Sequence, residues 1–336
     1  MLFFTWSGAF CQDKSRIDTL ISEGIKLHDQ AKYQEAIAKY KEVLAIDPDN
    51  STANYEIAFT LFTTNAANDA ISYLNKVIQT GGILAVGAYD MLGSIADQQG
   101  QSDKAIEYFQ QGLKMNPKYQ RIYFNLAVTY GRIGKDKEAL ENVTRSLQLN
   151  PKHASSHRLY AILARKNSAL TINALLAYCN FLMLEVNTER SVAAYNEVKS
   201  ILSAGITKSE TGAGNIVVAD AKDPDFTAAN LAIGLASTSA AAIPGLNETE
   251  RLEQQLKNVF SIVGGISAKR KDKDFFWLFY ADYFSGLSKS EFMPLLSHIV
   301  TFTADRDGHT KWITEHQQQL GSFSAWEKAN PRIVGL

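Results

Sequence analysis

The chain has 336 residues, 46% of them hydrophobic and 21% charged, with a formal net charge of −1. That balance excludes an intrinsically disordered chain. Without an excess of Lys and Arg it also argues against nucleic acid or an anionic membrane surface as a partner. The length suits two ordinary domains or one long repeat array, and no apolar run nears the roughly 18 residues of a membrane-spanning helix.

Residues 1–11, "MLFFTWSGAFC", are apolar and uncharged and end in small residues. Ala9 and Cys11 suit the two small-residue positions of a signal-peptidase site, which predicts a signal peptide cleaved before Gln12. The protein would then work in a bacterial periplasm or outside the cell; otherwise it is cytoplasmic. No basic residue precedes the apolar run, which fits a start codon lying further upstream or a buried N-terminal cap. Acylation of Cys11 is disfavoured, because bulky Phe10 stands where a lipobox has Gly or Ala. The second cysteine, Cys179, lies in the apolar run "LLAYCNFLML" and reads as a small buried hydrophobe.

From residue 17 the sequence repeats itself. Ala36, Ala70, Ala105, Ala139 and Ala174 recur at spacings of 34, 35, 34 and 35. About one-third of a period earlier stand Gly24, Ala58, Gly93, Ala127 and Ala161. Four residues after each repeated alanine comes a larger side chain: Tyr40, Leu74, Phe109, Val143 and Tyr178. Pro48, Pro117 and Pro151 close three of the units, while Gly81-Gly82 replaces the proline in the second and Val186-Asn187 in the fifth.

At this period and with these residues the pattern resembles the tetratricopeptide repeat (TPR). The resemblance covers a little under half of the chain. It implies an all-α fold, a right-handed superhelix of antiparallel helix pairs. Small residues let the paired helices approach, Tyr40 and Phe109 fill space, and proline ends the second helix. Gly100 and Gly134 fall in turns where φ > 0 costs glycine little. One unit buries too little apolar surface to stand alone, so neighbours must stack. We therefore expect units one to four at 17–151, and a degenerate fifth unit plus a following helix, "TERSVAAYNEVKSIL", at 152–202.

In that family the first helix of each unit lines a concave wall through its second, fifth, ninth, twelfth and thirteenth positions. On this chain the resemblance places Tyr55, Phe59 and Phe62 there from unit two, and Asp90, Ser94 and Asp97 from unit three. Unit four adds Arg121, Phe124, Val128 and Arg132, and unit five Arg158, Ile162 and Arg165. The wall should run from aromatic through acidic to basic. Asn125 stands where TPR proteins use an amide to hold a peptide backbone. Arginine forks suit carboxylates and aromatic rings anchor interfaces. Ile21, Ile25, Asp90 and Ser94 do not match the subclass that clamps a chaperone C-terminus.

Residues 203–224 are rich in Gly, Ser, Thr and Asp. The β-prone pieces "GIT" and "NIVV" fit either a small hairpin turning near Gly212-Ala213-Gly214 or a plain loop. Residues 225–336 return to helical periodicity. A helix over Phe226–Ala241 has Leu231 and Leu235 on one face. Asn247 and Glu250 have capping-box spacing ahead of a stripe of Leu252, Leu256, Val259, Phe260 and Val263. Phe276, Phe279, Tyr280, Tyr283, Phe284 and Leu287 read as a core face. Helices over Ser290–Phe302 and Lys311–Leu320 complete a helical region that caps the array.

No catalytic, metal or cofactor motif survives inspection. His153 and His157 are four apart but lack the Glu of a zincin helix, and read as surface and inter-unit histidines. "DRDG" (305–308) reads as a helix N-terminus at Asp307 rather than a calcium loop. "TGAG" lacks the strand–helix context of a phosphate loop, and "KRKDKD" reads as a solvated loop. The expectation is a non-catalytic scaffold or adaptor binding a protein or peptide partner, with no cofactor. The alternatives are a subunit of a larger cell-envelope assembly, or an enzyme whose site lies in the C-terminal half. The sequence names neither the partner nor the oligomeric state.

Overall fold

The computed structural model describes residues 6–204, 206–208, 214–216 and 221–334. The chain divides into two compact units, Met1–Gly134 and Lys135–Leu336. Among the described residues both are helical, apart from one short hairpin in the second unit.

Unit 1 contains α1 (Trp6–Asp29), α2 (Tyr33–Ile46), α3 (Ser51–Thr63), α4 (Ala67–Thr80), α5 (Leu84–Gln98), α6 (Ser102–Met115) and α7 (Gln120–Arg132). Helix α1 runs across the bond between Cys11 and Gln12, and residues 1–5 of the expected signal segment lie outside the described residues. α1 packs on α2, α3 on α4 and α5 on α6, and α3, α5 and α7 lie side by side.

The recurrent small residues are what allow this. A Cβ added to Gly24 would lie 2.3 Å from the Tyr40 ring, and one added to Gly93 would lie 2.4 Å from the Phe109 ring. In these two units the larger residue thus lies over its own small residue, and the two helices close around it. Tyr40 also joins Ala53 and Ile57 of the next unit in one cluster, so the same ring couples neighbours. Ala36, Ala58, Ala70, Ala105 and Ala127 are wholly buried.

The turn within each pair needs a left-handed residue. Gly100 and Gly134 supply it with φ of 77° and 76°. Ala31 and Asn65 occupy the equivalent turns with φ of 58° and 59°. Alanine accepts that conformation only at a cost of about 1–2 kcal/mol, which the surrounding packing must offset.

Unit 2 begins with α8 (Asp136–Leu149), α9 (Ala154–Arg165), α10 (Thr171–Leu184) and α11 (Glu189–Ala204). Helix α10 is buried nearly all round, Cys179 included. Strands β1 (Ile206–Lys208) and β2 (Gly214–Ile216) then pair antiparallel, with Lys208 opposite Gly214. This decides for a hairpin over a plain loop. Gly214 belongs to β2, and Gly212 and Ala213 lie outside the described residues.

The rest of unit 2 is α12 (Pro224–Ala241), α13 (Glu248–Ser267), a π-helical turn (Phe276–Ala281), α14 (Asp282–Ser288), α15 (Met293–Val300), α16 (Arg306–Glu315) and α17 (Gln317–Ala329). The Asn247–Glu250 capping box forms, and the stripe from Leu252 to Val263 is buried. In α12 the buried face is made mostly of small residues, Ala229, Ala232, Gly234, Ala236 and Ala240, with Ile233 among them, while Leu235 is exposed. Two expectations need correction. Asp305, not Asp307, caps α16, its carboxylate accepting from the Gly308 N–H at 3.0 Å. The two last expected helices have other limits, α15 ending at Val300 and α17 continuing to Ala329.

His157 is a further correction. It is fully buried rather than on a surface. Its Nε2–H donates to the Pro151 carbonyl at 2.9 Å, and Nδ1 accepts the Tyr280 hydroxyl at 2.7 Å. Tyr280 belongs to the π-helical turn, where Phe276, Trp277 and Phe279 are buried as well. A wider turn of this kind breaks the α-helical order of side chains. It is how successive aromatic residues all come to face core.

Candidate functional site

The first helices of units two, three and four are α3, α5 and α7, and their side chains meet in unit 1. Asp90, on α5, is 1% exposed. A buried carboxylate must be paired, and α7 supplies the partners. Arg121 places Nε 2.9 Å from one Asp90 oxygen, and Asn125 donates Nδ2–H to the other at 2.7 Å. Burial pushes the Asp90 carboxyl up, against the opposing pull of Arg121 and Asn125. Tyr55, on α3, lies against the bare backbone of Gly87. Burial in the main, with Tyr119 beside it, pushes its hydroxyl up to about 12.

Two turns further along α5 the arrangement recurs. Asp97 accepts the Thr129 hydroxyl at 2.6 Å and an N–H of Arg132. The second and thirteenth positions of unit four thus meet the fifth and twelfth of unit three. The acids stand on α5 and the bases on α7, and because these helices lie side by side the two rows face and neutralise each other.

Beside these pairs lies a cleft of about 280 Å³, whose lining includes Phe62, Asp97, Arg121, Asn125, Val128 and Thr129. Phe109, the ring seated on Gly93, also contributes to it. Asn125 fixes the polarity of this wall. The carboxylate of Asp90 is an acceptor, so the amide turns its NH₂ toward it, leaving the carbonyl Oδ1 as an acceptor. Half of the Arg121 side chain stays exposed.

The other expected wall residues are placed differently. Phe59 is half-buried and stacks on the His28 ring at 5.2 Å, while His28 Nδ1 lies 2.9 Å from the Thr60 hydroxyl. Phe124 is half-buried on α7. Arg158 and Arg165 sit on α9, in unit 2, where Arg165 faces Glu197 of α11 at 3.5 Å. Sequence reasoning missed Thr129 and His28. Thr129 follows Asn125 by one helical turn, and His28 holds the twelfth position of unit one, so both carried a signal.

A second cleft, of about 520 Å³, lies in unit 2 between the start of α13 and helices α15 and α16. His298 and His309 face each other there with their Nδ1 atoms 2.8 Å apart, and Trp312 stacks on His298 at 3.9 Å. Burial holds His298 down at about 4. Among the described residues no group of three or more His, Cys, Asp or Glu is arranged to hold a metal ion. No described helix is long and apolar enough to cross a membrane.

Comparison with known proteins agrees with this geometry. Three models of the tetratricopeptide repeat match, at residues 27–81, 86–119 and 108–141. The human protein O-mannosyl-transferase TMTC1 is 24% identical over 157 residues, which are 45% of this chain and 18% of that protein. The chain therefore spans less than a fifth of that relative. Pseudomonas aeruginosa pilF, a solved structure, covers 56% of this chain and 86% of its own at a TM-score of 0.50 and 18% identity. YrrB, described as a TPR protein with an unusual peptide-binding site, covers 56% and 97% at a TM-score of 0.43 and 18% identity. The matched models fall on the helices whose crossings hold Ala36, Ala58, Gly93 and Ala105, and residues 27–141 carry tetratricopeptide repeats.

Proposed function

We propose that this protein is a non-catalytic scaffold that holds a peptide or protein partner against the α3–α5–α7 wall of unit 1. The repeat architecture is that of a protein-interaction scaffold. The observation that carries the groove reading is Asn125. Its amide is oriented by Asp90, beside a cleft walled by Phe62 and a half-exposed guanidinium. An oriented acceptor next to an apolar notch suits a backbone N–H flanked by an anchoring side chain. Arg158 and Arg165 form a further contact set within unit 2.

Crosslinking in native cells followed by mass spectrometry identifies the partner. The pair Phe62→Ala and Asn125→Ala is then expected to lower its recovery at least tenfold, a loss of about 1.4 kcal/mol. The far-ultraviolet circular dichroism should stay unchanged. Undiminished recovery removes the groove from the proposal. Reversing Arg121 to Glu is a poorer test, because it sets a like charge beside buried Asp90.

We propose also that residues 1–11 direct export to the periplasm or beyond. The support is their uncharged apolar run ending in Ala9 and Cys11. N-terminal sequencing of the protein from its native cells is expected to begin at Gln12, and retention of Met1 overturns the proposal.

A further inference from the structure

We infer that the groove of unit 1 takes an extended peptide segment that is uncharged where it crosses the cleft and is anchored by one aromatic side chain. This rests on the scaffold reading above and adds the chemistry of the ligand.

The first ground is charge. Each carboxylate of the α5 row already has a cation and a neutral donor: Asp90 has Arg121 and Asn125, and Asp97 has Arg132 and Thr129. The wall is neutral within itself. An acidic ligand gains little from an arginine whose charge is already matched. To take Arg121 away it would leave Asp90, whose side chain is 2% exposed, without its cation. Stripping one partner from a buried pair costs more than a half-exposed contact returns. A basic ligand meets the converse obstacle, since both carboxylates are occupied.

The second ground is size. The cleft measures about 280 Å³. Pockets that enclose whole small molecules run from roughly 300 to 1,000 Å³. This one suits a single large side chain. Phe62 and Val128 give it a ring and a branched aliphatic wall, against which an aromatic side chain packs with specific geometry.

The third ground is the direction of the polar groups. Asn125 Oδ1 accepts, as a backbone N–H requires. Ser94 and Gln98, which also line the cleft, are neutral groups able to donate or accept. Nothing at this place demands a charge on the ligand.

The test is selection from a random dodecapeptide phage library on the full-length protein, with the Phe62→Ala variant as the parallel target. Clones recovered on the unmodified protein and depleted at least tenfold on the variant should share one aromatic residue flanked by uncharged residues. Their synthetic peptides should bind with a Kd that changes less than about twofold between ~50 and ~500 mM NaCl, since screening acts on exposed charges. Phe62-dependent peptides rich in Asp and Glu, or in Lys and Arg, overturn this inference and leave the groove standing. So does a Kd that weakens tenfold with salt. If no clone depends on Phe62, the groove reading falls together with the inference.

Discussion

Replacing Gly93 by leucine should destabilise unit 1 by about 3 kcal/mol, at the upper end of overpacking costs. The Cβ alone would lie 2.4, 2.5 and 2.8 Å from three atoms of the Phe109 ring. That ring has no accessible surface, and it packs with Val86, Ala96, Ala105, Ile122 and Leu126. It has no free volume to move into. If the ring is instead expelled, unit 1 loses a buried phenylalanine, worth roughly 3–5 kcal/mol. Either route lowers the urea midpoint followed by circular dichroism. The double variant Gly93→Ala with Phe109→Leu should recover much of the loss, because leucine lacks the ring atoms that a Cβ would strike. An unchanged midpoint for Gly93→Leu would mean that α5 and α6 do not cross at Gly93.

Acid should undo unit 2, and His157 is expected to be the largest single cause. Burial holds its imidazole down at about 3, against an ordinary 6.5. The folded state therefore refuses a proton that the unfolded chain binds. Its contribution is complete above the unfolded value of 6.5 and is lost progressively as pH falls toward 3. The slope is about 1.4 kcal/mol per pH unit, which accumulates to about 5 kcal/mol across the window. That is the lower bound of the stability of an ordinary domain, about 5–15 kcal/mol. The Pro151 carbonyl favours the charged ring, but Arg332 and His153 oppose it along with burial. His157→Gln removes the titration while keeping an amide able to donate and accept. Urea midpoints measured between pH 7 and 4 should fall less steeply for this variant than for the unmodified protein. The slope should not vanish, because burial also lowers His298 and His309. Parallel slopes would show that His157 does not stay neutral in the fold.

Much of the fold was legible because its cause is local. Gly24 and Tyr40 are 16 residues apart in sequence, within one helical hairpin, so the spacing of small and large residues already encodes the contact. The Asn247–Glu250 cap and the stripe ending at Val263 are likewise set by neighbours along one helix. In α12 the same reasoning put Leu231 and Leu235 on one face without deciding which face is buried. The structure exposes Leu235 and buries a face of mostly small residues that includes Ile233, a choice set by the packing of α12 against α13.

The candidate site was legible as a set of residues and not as an arrangement. Asp90, Asp97, Arg121, Asn125 and Arg132 could be placed on first helices by repeat position. Their pairing across 31 to 35 residues could not, since it depends on which rows of adjacent helices face each other. The same holds for His157 and Tyr280, 123 residues apart.

By itself, the sequence determined that this chain is helical, that its N-terminal part repeats, and that small residues stand where helices cross. Those are consequences of periodicity, which any short window of the chain expresses. Only the tertiary structure decided that the acids and bases of the wall neutralise one another and that His157 is buried. Side-chain pairing and desolvation depend on the distance between elements far apart in the chain, and no local spacing carries that distance.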